Sequence, residues 1–285
     1  MLERLVASDH RPVLVLSRPD RPRGRGRRVA APPVAERARA LSVALEQPES
    51  VNEPQARERI AQARPEAVVV CAFGALIKEP LLSEYELLNV HPSLLPRWRG
   101  AAPVERAIMA GDEHTGVSIM RLTAGLDSGP VCLTSAEPID PRDTYGSLAT
   151  RLQELGGELL VRTLERFAEG EAPAFAEQDE DGITYAEKIG PEDRLLDPGR
   201  PASELERIVR ALHPHIGARV ALADGTLLGV HRARDSAERT PVGTLSTVAG
   251  RLLYGACDRA LELLEVQPSG GRPMDAAAYL RGHAC

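Results

Sequence analysis

Aromatic residues are scarce in this chain, with one tryptophan, five tyrosines and three phenylalanines making up 3% of 285 residues. A core built without them must be filled by aliphatic residues and alanine, and a 43% hydrophobic content supplies both. Cysteine is scarce as well. Cys71, Cys132, Cys257 and Cys285 stand apart with no C-x-x-C pair. That argues against a zinc ribbon or a disulfide framework and fits a reducing, cytoplasmic setting. No apolar run approaches the roughly 18 residues that cross a bilayer. No basic start leads into an apolar segment in the manner of a secretory signal. G-x-S-x-G and H-E-x-x-H patterns are both missing, so no serine-hydrolase elbow or zinc-protease helix is written into the chain. The net charge of −6 gives no general pull toward polyanions.

Positive charge is instead concentrated in one place. Arg18, Arg21, Arg23, Arg25, Arg27 and Arg28 stand against the single Asp20, a local charge of +5. One dense basic loop on a mildly acidic body suggests a local phosphate contact, although a solvated loop has the same composition. A second concentration of chemistry is Asn89-Val90-His91-Pro92-Ser93-Leu94-Leu95-Pro96-Arg97-Trp98-Arg99-Gly100-Ala101-Ala102-Pro103. It reads as the end of a buried strand, a rigid proline-flanked loop and the start of a helix. Residues i and i+2 of a strand point to the same side, so Asn89 and His91 can face one reacting atom. The amide can donate to a developing oxyanion, and the imidazole can exchange a proton near neutral pH. Each also has a structural reading, Asn89 as a strand-end cap and His91 as a satisfied buried histidine. Asp127 in Gly125-Leu126-Asp127-Ser128-Gly129 is either a functional carboxylate or a turn residue.

Periodicity places these motifs. Leu2, Leu5 and Val6 share a helical face, and Val13–Leu16 is a short strand. Pro32 and Pro33 open a helix carrying Val34, Ala38, Leu41 and Leu45, and another helix covers about 55–63. Ala67–Ala72 is a continuous apolar run of the kind found in parallel strands covered on both faces. Leu87–Val90, Val117–Leu122 and Val131–Ala136 are further strands, and an amphipathic helix runs over 144–168. This alternation predicts a Rossmann-like, doubly wound α/β domain over residues 1–170, with ligands at the carboxyl ends of its strands. A polar, acidic stretch then opens a linker over 171–202. Ser203 and Glu206 make a capping-box pattern before a helix. Short strands at 218–222, 227–231, 243–248, 251–254 and 261–266 predict a small antiparallel barrel within 203–285.

The stretch from Asn89 to Pro103 resembles the signature of the formyltetrahydrofolate-dependent formyltransferases, and Gly125–Gly129 resembles that family's aspartate loop. The resemblance runs over nearly the whole chain and is closest to members acting on methionyl-tRNA. It implies Asn89, His91 and Asp127 as catalytic residues. It implies a folate site on Ser93, Leu94, Leu95 and Pro96 with Phe73, Gly74 and Ile77, where Phe73 replaces a more usual tyrosine. The donor would be 10-formyltetrahydrofolate, the acceptor charged initiator tRNA, and no metal would take part. Arg18–Gly26 resembles a loop that meets the acceptor end of the tRNA, which implies tRNA contacts for Arg18, Arg21, Arg23, Arg25, Arg27 and Arg28. The family carries an OB-like barrel where the C-terminal strands fall. Arg97, Trp98 and Arg99 either hold the loop by packing or touch RNA, packing being preferred. His213-Pro214-His215 stands where the family has a turn into the barrel, and that reading is preferred to a metal site. A monomer away from membranes is the expected state.

Family members begin with a strand and a glycine-containing turn that precede the helix found here at Leu2. The expectation is therefore a start placed about 20 residues late, with a gap left beside the central strands. Two other functions remain open, a sugar-nucleotide N-formyltransferase and a catalytically impaired tRNA-binding remnant.

Overall fold

The computed structural model describes residues 1–23, 28–171 and 173–282, without the side chains of Arg23 and Arg28. Its residues group into two compact units. One comprises Met1–Arg99, Gly116–Glu137 and Leu152–Tyr185; the other comprises Gly100–Thr115, Pro138–Arg151 and Ala186–Cys285.

In the first unit a four-stranded sheet runs in the order Val68–Val70, Leu87–His91, His114–Arg121, Val131–Pro138. Leu87–His91 is parallel to Val68–Val70, with Val70 beside Asn89, and antiparallel to His114–Arg121, with Asn89 beside Met120 and His91 beside Ser118. The sheet is thus mixed. All five residues of Leu87–His91 are buried, as expected for a central strand. The part of the helix Tyr145–Ala168 that belongs to this unit, 152–168, lies close to the sheet at Gly156. A Cβ on Gly156 would stand 3.1 Å from Val90 and 3.5 Å from Val117, so glycine permits the close approach.

The apolar run at 67–72 behaves otherwise. Val68–Val70 is only half-buried, and Cys71 and Ala72 are exposed. The strand ends its sheet, and its outer edge pairs with no strand among the described residues. Val15–Leu16 and Leu45–Glu46 form a separate two-stranded parallel sheet. Leu45 was expected on a helix, yet that helix is Pro33–Ala40. Ser42 takes φ +53°, which stops the helix and releases Leu45 to pair with Val15. The basic segment is likewise not a plain loop, because Arg21–Arg23 and Arg28–Ala30 pair as an antiparallel ribbon. Its tip, Gly24–Arg27, falls outside the described residues.

The second unit holds an antiparallel sheet in the order Ala218–Ala221, Leu227–Ser236, Ala260–Gln267, Arg251–Gly255, Leu245–Val248, with Met274–Asp275 paired to Ala260–Gln267. Leu205, Ile208, Val209 and Leu212 of the helix Ala202–Leu212 pack on Val220, Leu228, Leu252, Leu261 and Leu263. The expected capping box does not form. The N-cap is Pro201, and Asp258, from the loop before strand Ala260–Gln267, accepts a 2.9 Å bond from Ala202 N–H. Proline at the cap offers no side-chain acceptor, so a distant carboxylate supplies one. His213–Ile216 form the turn after this helix; His215 bonds Glu105 at 3.0 Å and stacks on Tyr145. Among the described residues no helix is long and apolar enough to cross a membrane.

Asp143 is the most strongly perturbed carboxylate of this unit. Bonds from Arg151, Ser147 Oγ–H and Asp140 N–H hold its pKa down at about 2, against burial, which raises it. A depressed carboxylate contributes stability above its unfolded pKa, near 3.9, and loses it as pH falls through the folded value. We expect stability to decline as pH falls from about 4 toward 2, and Asp143→Asn to flatten that decline. Urea unfolding at graded pH measures both.

Candidate active site

His91 ends the buried strand, 4% exposed. Its Nε2 lies 2.9 Å from the carbonyl oxygen of Trp98. A carbonyl can only accept, so Nε2 carries hydrogen in this bond. That leaves Nδ1 for Asp127, whose Oδ2 stands 3.6 Å away. Asn89, two residues earlier and also buried, takes no side-chain hydrogen bond among the described residues. The strand therefore presents an uncommitted amide and an imidazole on one side, with a carboxylate beside the imidazole.

Asp127 reaches this position on a tight loop. Its own φ is +43°, a conformation that Asp tolerates better than most side chains. A Cβ on Gly129 would stand 2.0 Å from the carbonyl oxygen of Arg121, so only glycine fits there.

The loop after His91 is held through its peptide groups, most of them bonded to the hydroxyls of Ser93, Ser118 and Thr184. Ser93 is fully buried, and its Oγ–H donates to Arg97 O at 2.6 Å. Ser118 Oγ–H donates to Ser93 O at 2.7 Å and accepts from Leu95 N–H at 3.2 Å. Trp98 N–H donates to Thr184 Oγ1 at 2.8 Å, and Arg99 N–H to Thr184 O at 2.9 Å. Trp98 takes φ +62°, which aims its carbonyl at His91, while the Arg97 guanidinium covers its indole at 4.4 Å. Arg97 and Trp98 thus pack within the loop. Ser118 was not singled out by sequence, since a lone Ser carries no motif.

The two halves of the chain match known family models, residues 2–164 the model described as Formyl transferase and residues 188–284 its C-terminal domain. The chain belongs to the formyltransferase family. It is 43% identical to the methionyl-tRNA formyltransferase of Halorhodospira halophila over 99% of this chain and 91% of that protein. It is 42% identical to that of Methylococcus capsulatus, over 99% and 92%. Its fold is similar to the crystal structure of the N-formyltransferase from Helicobacter canadensis in complex with folinic acid and dTDP-3-aminofucose. The TM-score is 0.64 at 14% identity, covering 92% of this chain and 93% of that one.

Three of the remaining expected residues of this formyltransferase, Phe73, Arg18 and Arg21, line a pocket of about 370 Å³ in the first unit. Val51, Leu76 and Glu49 line it with them. Phe73 and Ile77 pack on a small cluster of Val51, Ile60 and Leu81. Arg18 donates to the carbonyl of Gly74, which sits at φ +61°, and Arg21 pairs with Glu49. Two of the expected RNA-binding arginines are thus already engaged by the protein. Arg25 and Arg27 lie outside the described residues.

Close packing also shapes the Ser93–Pro96 loop. A Cβ on Gly116 would stand 2.2 Å from Ser135 O and 2.6 Å from Leu94 Cδ2. Gly116→Ala should therefore displace Leu94 and cost about 1–3 kcal/mol of stability. Urea denaturation measures the cost, and an unchanged midpoint would show that the contact relaxes freely.

Proposed function

We propose that this formyltransferase moves the formyl group of 10-formyltetrahydrofolate to the α-amino group of methionyl initiator tRNA, for use in translation initiation. Identity above 40% to methionyl-tRNA formyltransferases over nearly the full length of both chains carries the choice of acceptor. The placement of Asn89, His91 and Asp127 supports the chemistry. Nucleophilic attack by the amine on the formyl carbon makes a tetrahedral oxyanion. Asn89 donates to that oxygen, a contribution typically worth about 3–4 kcal/mol when such a donor is removed. The amine must lose a proton and the departing folate nitrogen must gain one. His91 Nδ1 and Asp127 lie where such a proton can pass, and the Trp98 carbonyl fixes the ring during the transfer. Ser93, Leu94, Leu95 and Pro96 form one wall for the folate, and Phe73, Gly74 and Ile77 an apolar counterpart. Ser93 serves there by shaping the loop, because its hydroxyl is spent on Arg97 O.

The test offers methionyl initiator tRNA and amino-sugar nucleotides in parallel with 10-formyltetrahydrofolate. Formylation of the tRNA alone is the expected outcome. Turnover only with the sugars would replace this reading by the sugar-nucleotide one, and tRNA binding without turnover would mark a remnant. His91→Ala and Asp127→Asn should each lower kcat by at least about 100-fold with little change in KM for the folate, since both act on charge that develops in the transition state. Near-normal turnover of either variant at saturating substrate would remove that residue from the mechanism.

The arginine segment supplies the phosphate contacts in this proposal. Replacing Arg23, Arg25 and Arg27 with Ala should weaken tRNA binding and reduce the log–log salt slope by roughly 0.9 for each duplex phosphate that is no longer neutralised. Affinities of both proteins across a salt series decide it; equal slopes would assign the tRNA to another surface.

A further inference from the structure

Gln178 lies in the acidic stretch that reads as the start of a linker, flanked by Glu177 and Asp179. Its neighbours are exposed, but Gln178 is half-buried, and all its amide atoms are engaged. Oε1 accepts from Arg99 Nε–H at 3.0 Å and Nη2–H at 2.8 Å. Nε2–H donates to the carbonyl oxygens of Asp127 at 2.8 Å and Gly129 at 2.7 Å. One amide thus ties the loop that carries Asp127 to an arginine only 8% exposed, one residue beyond the Trp98 carbonyl that holds His91.

The segment is laid down for this purpose by its own contacts. Ala176 and Val131 exchange two backbone hydrogen bonds of 2.8 and 2.9 Å, just past the Asp127 loop. Phe175 receives the Arg121 guanidinium at 4.2 Å. Gln178, two residues beyond Ala176, then reaches back over residues 127–129. The Asp127 loop needs such an anchor, because Asp127 sits at φ +43° and Leu126 beside it is 62% exposed. Only a side chain with both an acceptor and a two-hydrogen donor can serve the guanidinium and the two carbonyls together.

We propose that Gln178, backed by Arg99, is a positioning residue that sets the Asp127 carboxylate against His91. This rests on the catalytic reading of Asp127 given above. Gln178 touches neither His91 nor the Asp127 carboxylate, so its effect passes through loop geometry. Small misplacements of a catalytic group cost up to about 100-fold in rate.

The decisive variant is Gln178→Glu. A glutamate still accepts from Arg99, which keeps the segment docked, but it cannot donate to the carbonyls of Asp127 and Gly129. We expect it to melt near the wild-type temperature, to keep the KM for 10-formyltetrahydrofolate, and to lose about 10- to 100-fold in kcat for formylation of methionyl initiator tRNA. Gln178→Ala, which removes both sets of bonds, should lose at least as much. If Gln178 acts through Asp127, adding Gln178→Glu to Asp127→Asn should lower kcat little beyond Asp127→Asn alone. Wild-type kcat in Gln178→Glu, or losses that multiply in the double variant, would overturn the proposal. Failure of the underlying reading looks different. It would appear as undiminished turnover in Asp127→Asn, or as no formylation of the tRNA by the unaltered protein.

Discussion

A buried strand that ends in an imidazole has to meet the polar atoms it brings with it. Leu87–His91 is buried at every position, and two of its five side chains are polar. Leaving such groups unpaired costs on the order of 1–3 kcal/mol each. The Trp98 carbonyl answers Nε2 of His91, and that carbonyl is available because Trp98 adopts a left-handed conformation. Thr184 then holds the Trp98 and Arg99 peptides, and Ser118 holds the peptides of Ser93 and Leu95. Most of the ordering around the site can be traced to satisfying this one strand end.

Asn89 is the exception that gives the arrangement its chemical interest. Its amide lies on the same side as His91 but is left without a partner among the described residues. Beside a histidine whose Nε2 is held by the Trp98 carbonyl, an uncommitted donor is a place where a developing negative charge can be received without first breaking a bond. That preorganisation is what the proposed catalytic roles of Asn89 and His91 draw on.

The second unit is organised by apolar burial. Its helix and sheet share one continuous core, to which aromatic residues contribute only Tyr254 and Tyr279 among the buried members. Charged side chains also serve backbone groups, as Asp258 does for the first N–H of the helix Ala202–Leu212 and as Arg210 does for the carbonyl of Asp143. The aliphatic character expected from the composition is what the packing uses.

The sequence by itself determined what depends on neighbours along the chain. Alternation put Asn89 and His91 on one side of a strand, the glycines at 125 and 129 marked a tight turn at Asp127, and leucine spacing marked the helix Tyr145–Ala168. Short apolar runs between turn residues marked the C-terminal sheet. Tertiary structure decided what depends on partners distant in sequence. Leu45 left its helical register because Val15 offered a parallel ladder. The run at 67–72 was expected to be covered on both faces and is half-exposed, because its strand lies at the end of its sheet. Proline at position 201 passed the capping of its helix to Asp258, 56 residues beyond Ala202. Ser118 and Gln178 were invisible for a common reason: each acts on backbone carbonyls or amides, which every residue possesses, so nothing in the residue types announces where the chain will bring them.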